Sequence, residues 1–182
     1  MEIRPLRISG TFELLLQAKR DQRGYFLRAY DESIFGRNSL NCCWVQENEA
    51  FSEIKGVIRG LHFQKPPHAE IKLVRVVRGA VLDAFVDLRR NSPTYGQWET
   101  ALLSEENHKA VYIPKGFAHG YCTLTDNAVV LYKVDTPYAP DSEGGLRWND
   151  EKLAIPWPVD DPIVSPKDAS LPFLHEFVTP FD

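Results

Sequence analysis

The 182-residue sequence is poor in sulfur, with three cysteines and one methionine. Cys42 and Cys43 are adjacent, so on an extended strand their side chains point to opposite faces, and three is an odd number. A disulfide framework is excluded, and a reducing cytoplasm is the expected compartment. No apolar run approaches the roughly 18 residues that a membrane-spanning helix needs. The start, "MEIRPLRISGTFELLL", lacks a basic segment followed by a continuous apolar stretch. Neither export nor membrane insertion is expected. Charge of one sign is also missing, because 21 basic and 25 acidic side chains leave a net charge of -4. That balance argues against a general nucleic-acid binder, so any anion has to be held by a local basic pocket. Helical periodicity is scarce, and there is no internal repeat, linker or low-complexity tract.

What is present is a good supply of core and strand material, 43% hydrophobic and 12% aromatic. A chain of this length buries roughly 70% of its unfolded surface as one unit, so a single domain over 1–182 is expected. Alternating runs cover Gly24 to Tyr30, Cys42 to Glu47, Val57 to Gln64, Ile71 to Val77, Val81 to Asp87, Gly96 to Leu103, Lys109 to Ile113, Gly120 to Thr125 and Ala128 to Val134. Turn residues separate them, among them Lys65 to Pro67, Asn91 to Pro93 and Asp126-Asn127. Many short strands at this spacing predict an all-β antiparallel sandwich or barrel. Short helical turns are expected at "DESIFGR", capped by Asp31, at "SEENH", capped by Ser104, and after Ser165, where Pro166 takes the first helical position.

The stretch "RGLHFQKPPHAEIKLVRVVRG", Arg59 to Gly79, alternates as a strand does yet carries Arg59, His62, His68 and Lys72. A solvated strand face and a lined cavity both account for this. If Val77 to Ala80 is a hairpin turn, Lys72 opposes Phe85, Val74 opposes Asp83, and Lys72 and Asp83 share one face as diagonal neighbours. That pair is either a surface ion pair worth about 0–1 kcal/mol or part of a pocket. "PKGFAHGY" is similar to the second cupin pattern, P-x-G-x-x-H, on Pro114, Gly116 and His119. The first cupin pattern, counted back from Gly79, puts Lys72 where a metal-ligating glutamate would stand and Pro66 in place of a histidine. An ammonium repels a divalent cation, so the expectation is a cupin barrel whose metal is replaced by protein charge. Such an ammonium suits an oxyanion, and an enolate is the obvious one. His62 is placed to act as base. Tyr132, in "AVVLYKVDT", is either a core tyrosine or the acid on the far side.

Long ordered segments then carry a resemblance: "GVIRGLHFQKPPHAEIKLVRVVRGAVLDAFVDLRRNSPTYGQW", "IPKGFAHGY", "LYKVDTPYAP", "GLRWND" and "SPKDASLPFL". Together they resemble the dTDP-4-dehydrorhamnose 3,5-epimerase family over nearly the whole chain. The resemblance implies a cupin-like double-stranded β-helix, or jelly-roll barrel, and an isomerase that makes the L-rhamnose precursor without a cofactor or metal. It implies His62 as base, Asp168 as the aspartate that orients it, Tyr132 as proton donor, and Lys72 at the oxyanion with His119 and Asp83 nearby. Nucleotide and diphosphate contacts fall on Arg23, Gln46, Asn48, Arg59, Glu143 and Lys167. The family's dimers exchange N-terminal strands, so a homodimer is expected, with Arg23 acting in the neighbouring site. If Arg59 and His62 line one cavity, the strand between them has to bulge, and Gly60 is the expected place. His68 is read as structural or at the rim.

Three features depart from the family pattern. Arg28 stands where a glutamate is usual, Pro137 replaces one tyrosine of "TDYYAP", and one extra residue separates Asn48 from Arg59. They open a second reading, inversion at C3 alone for an unusual deoxysugar. Two further readings are a metal-dependent cupin using His62, His68 and His119, and a sugar-nucleotide-binding cupin without catalysis.

Overall fold

The computed structural model describes residues 1–182. The first strands are β1 (Glu2–Pro5), β2 (Phe12–Leu15), β3 (Ala18–Asp21) and β4 (Gly24–Leu27), followed by helix α1 (Glu32–Arg37). Then come β5 (Gln46–Ser52), β6 (Val57–Gln64), β7 (Lys72–Arg78), β8 (Ala80–Asp87), β9 (Trp98–Ser104) and β10 (Lys109–Ile113). The chain continues with β11 (Phe117–Thr123), β12 (Ala128–Val134), β13 (Glu143–Gly145), β14 (Ile163–Val164) and helix α2 (Pro166–Ala169). One sheet runs β1-β2-β10-β7-β12-β5 and the other β13-β6-β11-β8-β9, with β14 parallel to β6; β3 and β4 form a separate ribbon. This is the expected all-β jelly roll. No helix is long and apolar enough to cross a membrane.

The two sheets face each other across Val74, Val76, Val111, Ile113 and Val130 on one side and Val81, Phe85, Leu103, Phe117 and Tyr121 on the other. Both sheets are also covered outside. Leu73, Ala110 and Tyr112 pack under Phe35 of α1 and Leu40, while Leu61, Phe63, Ala84 and Val86 pack under Leu146, Leu153, Ile155 and Phe181. Strands buried on two faces need apolar residues at both parities, as Leu73 and Val74 illustrate.

That double burial corrects the hairpin expectation. β7 pairs with β10 and β12, whereas β8 pairs with β9 and β11, so the Arg78-Gly79 turn carries the chain from one sheet to the other. The turn is held by side chains from other loops: Glu105 accepts from the Gly79 amide at 2.7 Å and Thr125 from the Ala80 amide at 3.1 Å. Lys72 does not oppose Phe85 along a ladder. It nevertheless shares the interior with Asp83, because Lys72 has the parity of Val74 and Asp83 that of Phe85.

The strand expected over Cys42 to Glu47 begins instead at Gln46 and continues to Ser52. Asn41 bends the preceding segment by bonding both the Cys43 carbonyl, at 2.5 Å, and the Cys43 amide, at 3.4 Å. Both expected caps are in place at α1 and α2, where Asp31 accepts from the Ile34 amide and Ser165 from the Asp168 amide. "SEENH" forms only a turn after β9, with Ser104 accepting from the Asn107 amide at 3.0 Å.

Candidate active site

β6 enters the site through a bulge. Across from β11, His62 pairs with His119 but Arg59 pairs with Tyr121, so β6 takes three steps where β11 takes two. Gly60 makes this possible with φ +113, and a Cβ there would lie 2.6 Å from the His119 carbonyl oxygen and 2.7 Å from the Gly120 Cα. The extra step turns Arg59 and His62 toward one cavity of about 620 Å³, whose lining includes Lys72, His119, Tyr132, Lys167 and Asp168. A second cavity of about 340 Å³ is lined by Gln46, Asn48, Glu70, Tyr138 and Glu143 among others. His62, Lys72 and Tyr132 line both, so the two spaces meet at these three side chains.

His62 Nε2 lies 2.6 Å from Asp168 Oδ1, and the other Asp168 oxygen accepts from the Gly60 amide at 3.1 Å. Asp168 is 4% exposed. Burial works to raise its carboxyl, but His62 and the Gly60 and Ser165 hydrogen bonds outweigh it and hold the carboxyl below its ordinary value. An ionised carboxylate only accepts, so neutral His62 carries its proton on Nε2 and keeps Nδ1 as the basic nitrogen. A second pair, His119 Nε2 and Asp83 Oδ2 at 2.6 Å, is buried beside it, and Asp83 is fully enclosed below the cavity wall.

Lys72 is 9% exposed, with Nζ 3.3 Å from Glu70 and 6.0 Å from the centre of the Tyr132 ring. Burial raises the Tyr132 phenol, and Glu70 adds to the rise, so Tyr132 holds its proton. His62 belongs to the β6 sheet and Tyr132 to the facing β12 sheet, with the ammonium lining the space they share.

Toward the opening, Arg59 reaches the Phe51 carbonyl at 3.0 Å and Ser52 Oγ at 3.4 Å. Lys167 pairs with Glu143 at 2.5 Å, and Tyr138 donates to the same carboxylate at 3.1 Å. Burial works to raise Glu143, but Lys167, Tyr138 and His62 hold it below its ordinary value. Gln46 accepts from the Tyr138 amide at 2.5 Å. Within one chain Arg23 is apart from this group, exposed on the β3–β4 ribbon and paired with Asp21 at 2.6 Å. Arg28 pairs with Asp31 on the surface. Pro137 lines neither cavity, and its carbonyl accepts from Gln64 at 3.3 Å, so the aromatic residue beside the site is Tyr138.

His68 is exposed on the loop after β6, and the Nε2 atoms of His62 and His119 are each engaged by a carboxylate. The three histidines therefore do not converge as metal ligands, and no group of three His, Cys, Asp or Glu side chains is arranged to hold a metal ion. Four site residues are not evident from the sequence. Ser52 lies beyond the expected end of its strand. Tyr121 has a buried hydroxyl without a partner, Glu70 faces Lys72, and Tyr138 joins Gln46 to Glu143.

Fold and site together define a cupin-type jelly roll whose cavity carries acid–base and cationic groups where metal ligands would otherwise stand. The model of the dTDP-4-dehydrorhamnose 3,5-epimerase family matches residues 5–176, and the chain belongs to that family. It is 46% identical over 172 residues to the dTDP-4-dehydrorhamnose 3,5-epimerase of Methanothermobacter thermautotrophicus, covering 93% of this chain and 92% of that one. The crystal structure of the Bacillus anthracis dTDP-4-dehydrorhamnose 3,5-epimerase with TDP and PPi bound superposes with a TM-score of 0.93 at 44% identity, covering 95% and 99% of the two chains. A dTDP-4-dehydrorhamnose 3-epimerase from Streptomyces niveus is 38% identical, covering 97% of this chain and 85% of that one.

Proposed function

We propose that this protein inverts C3 and C5 of a dTDP-4-keto-6-deoxyhexose through enolate intermediates, the reaction that yields the L-rhamnose precursor. The observation that carries the reading is the placement of His62, with Asp168 at 2.6 Å, and Tyr132 on facing sheets around a cavity that Lys72 also lines. The 4-keto group acidifies the hydrogens on both neighbouring carbons, and either deprotonation puts the charge on the same oxygen. One oxyanion site thus serves both steps. Neutral His62 takes the proton on Nδ1, Asp168 stabilises the imidazolium, and Lys72 stabilises the enolate. Tyr132 then protonates the carbon from the opposite face, and the centre is inverted. Proton transfer beside a ketone changes no oxidation state, so the reaction requires no redox cofactor.

Arg59 and Lys167 serve the diphosphate, with Gln46, Asn48 and Glu143 toward the nucleotide. His119 and Asp83 support the wall beside Lys72. Residues 1–182 work as one domain in a cytoplasmic homodimer, in which the exposed Arg23 of the β3–β4 ribbon reaches the neighbouring site. Of the departures that open inversion at C3 alone, Arg28 pairs with Asp31 on the surface and Pro137 lines neither cavity, which supports full 3,5-epimerisation as the preferred reading. Incubation with dTDP-4-keto-6-deoxyglucose in D₂O, followed by NMR, tests this. Deuterium is expected at both C3 and C5; incorporation at C3 alone restores the single-centre reading, and none at either carbon refutes the epimerase.

A further inference from the structure

Glu70 pairs with Lys72, and the backbone on either side of it is hydrogen-bonded to another segment. Thr136 donates to the Ala69 carbonyl at 3.1 Å and the Ile71 amide donates to Asp135 at 2.7 Å, so both neighbours of Glu70 are strapped to the segment after β12. The side chain is held as well. Gln64, only 3% exposed, donates to Glu70 Oε2 at 3.3 Å, while the other oxygen, Oε1, lies 3.3 Å from Lys72 Nζ. Gln64 also accepts from the Ala139 amide at 2.6 Å, which joins this carboxylate to the loop that carries Tyr138.

We propose that Glu70 is a positioning residue for this reaction: it tethers the Lys72 ammonium where the two cavities meet and presents a negative charge to Tyr132. The proposal rests on the roles assigned above to Lys72 and Tyr132. A lysine side chain has a flexible four-carbon stem, and its ammonium serves a transient oxyanion only if it is already in place. Glu70 supplies the restraint from two residues away, the spacing that puts two extended residues on one side. The same negative charge favours the protonated phenol, and after burial it is the largest influence raising Tyr132. The other ionisable groups around Lys72 and Tyr132 include Arg59 and His62 on β6, His119 and Tyr121 on β11, Lys167 and Asp168 on α2, and Tyr138 and Glu143 from the segment following β12. Arg59 pulls the phenol the other way, while Glu143 and Tyr138 act in the same direction as Glu70 more weakly.

The test is the pH profile of kcat for the wild type, Glu70→Gln and Glu70→Asp. Glu70→Gln keeps the shape and the Gln64 contact but removes the charge. It is expected to lower kcat by about 10- to 10²-fold, the scale of a displaced catalytic group, with KM little changed. Its alkaline limb is expected at lower pH than in the wild type, because the phenol then ionises more easily. Glu70→Asp, which keeps the charge on a shorter stem, is expected to restore the position of that limb. A Glu70→Gln profile that superposes on the wild type overturns the proposal, as does a Glu70→Asp limb displaced as far as that of Glu70→Gln. A wild-type enzyme inactive at every pH counts against the epimerase reading itself.

Discussion

Asp168→Asn is the sharpest perturbation the site allows, because it preserves shape while removing the charge and changing which atoms donate. The wild-type carboxylate accepts from two donors at once, His62 Nε2 at 2.6 Å and the Gly60 amide at 3.1 Å. A carboxamide has one acceptor oxygen and one donor nitrogen, so it satisfies only one of them. With its oxygen toward Gly60, its amino group faces His62 and forces the proton onto Nδ1, which removes the lone pair that abstracts the substrate proton. With its oxygen toward His62, two buried donors confront each other at Gly60. Such an unsatisfied group costs about 1–3 kcal/mol, which makes the active arrangement about 5- to 150-fold rarer. Loss of the negative charge beside the imidazolium lowers activity further, giving an overall loss of about 10³-fold. Solvent-deuterium incorporation at C3 and C5, measured by NMR on a variant whose folding is checked by circular dichroism, reads this directly. A folded Asp168→Asn enzyme within tenfold of wild type would refute the assignment of the His62 tautomer to Asp168.

Lys72→Met is expected to cost about 10²- to 10³-fold in kcat, the scale for one lost oxyanion donor; steady-state kinetics in which only KM rises would make Lys72 a binding residue. Gly60→Ala has to force a Cβ to within 2.6 Å of the His119 carbonyl at φ +113, so thermal unfolding is expected at clearly lower temperature and with the β6 bulge disturbed. An unchanged melting temperature would mean that the two strands separate freely at this point. Because the folded-state Asp168 carboxyl lies below its ordinary value of 3.8, its stabilising contribution is fully present above that value and is lost as pH falls through the lower folded one. The melting temperatures of the wild type and Asp168→Asn are therefore expected to converge in strong acid, and a constant difference down to the lowest pH would contradict an ionised Asp168 in the folded state.

β6, β10 and β12 lie within the bounds their alternation predicts, because each carries β-branched residues and ends at a marked turn. β1, β2 and β3 show no alternation that marks them in the sequence, because at four residues each they are too short for the pattern to stand out. His62, Lys72 and His119 were legible through motif spacing and parity. The bulge at Gly60 was legible because two polar residues of opposite parity had to share one cavity. Pairing was not, since the Arg78-Gly79 turn between two apolar strands serves equally well for a hairpin or for a step between sheets. Glu70, Tyr121 and Ser52 gain their meaning only from partners on other strands, so no local pattern distinguishes them.

The sandwich also has a thickness, and that dimension is shared with the chemistry. His62 and Tyr132 stand on opposite sheets, so the gap between base and acid is gauged by the packing of Val76, Val130, Phe85 and Phe117 elsewhere in the same interior. Facing sheets settle about 10 Å apart because side chains of this size fill the space between them. Slimming one of those spacers leaves every reacting group chemically intact while narrowing the slot into which a sugar ring has to fit. Interior residues that touch no substrate thereby set the calibre of the reaction.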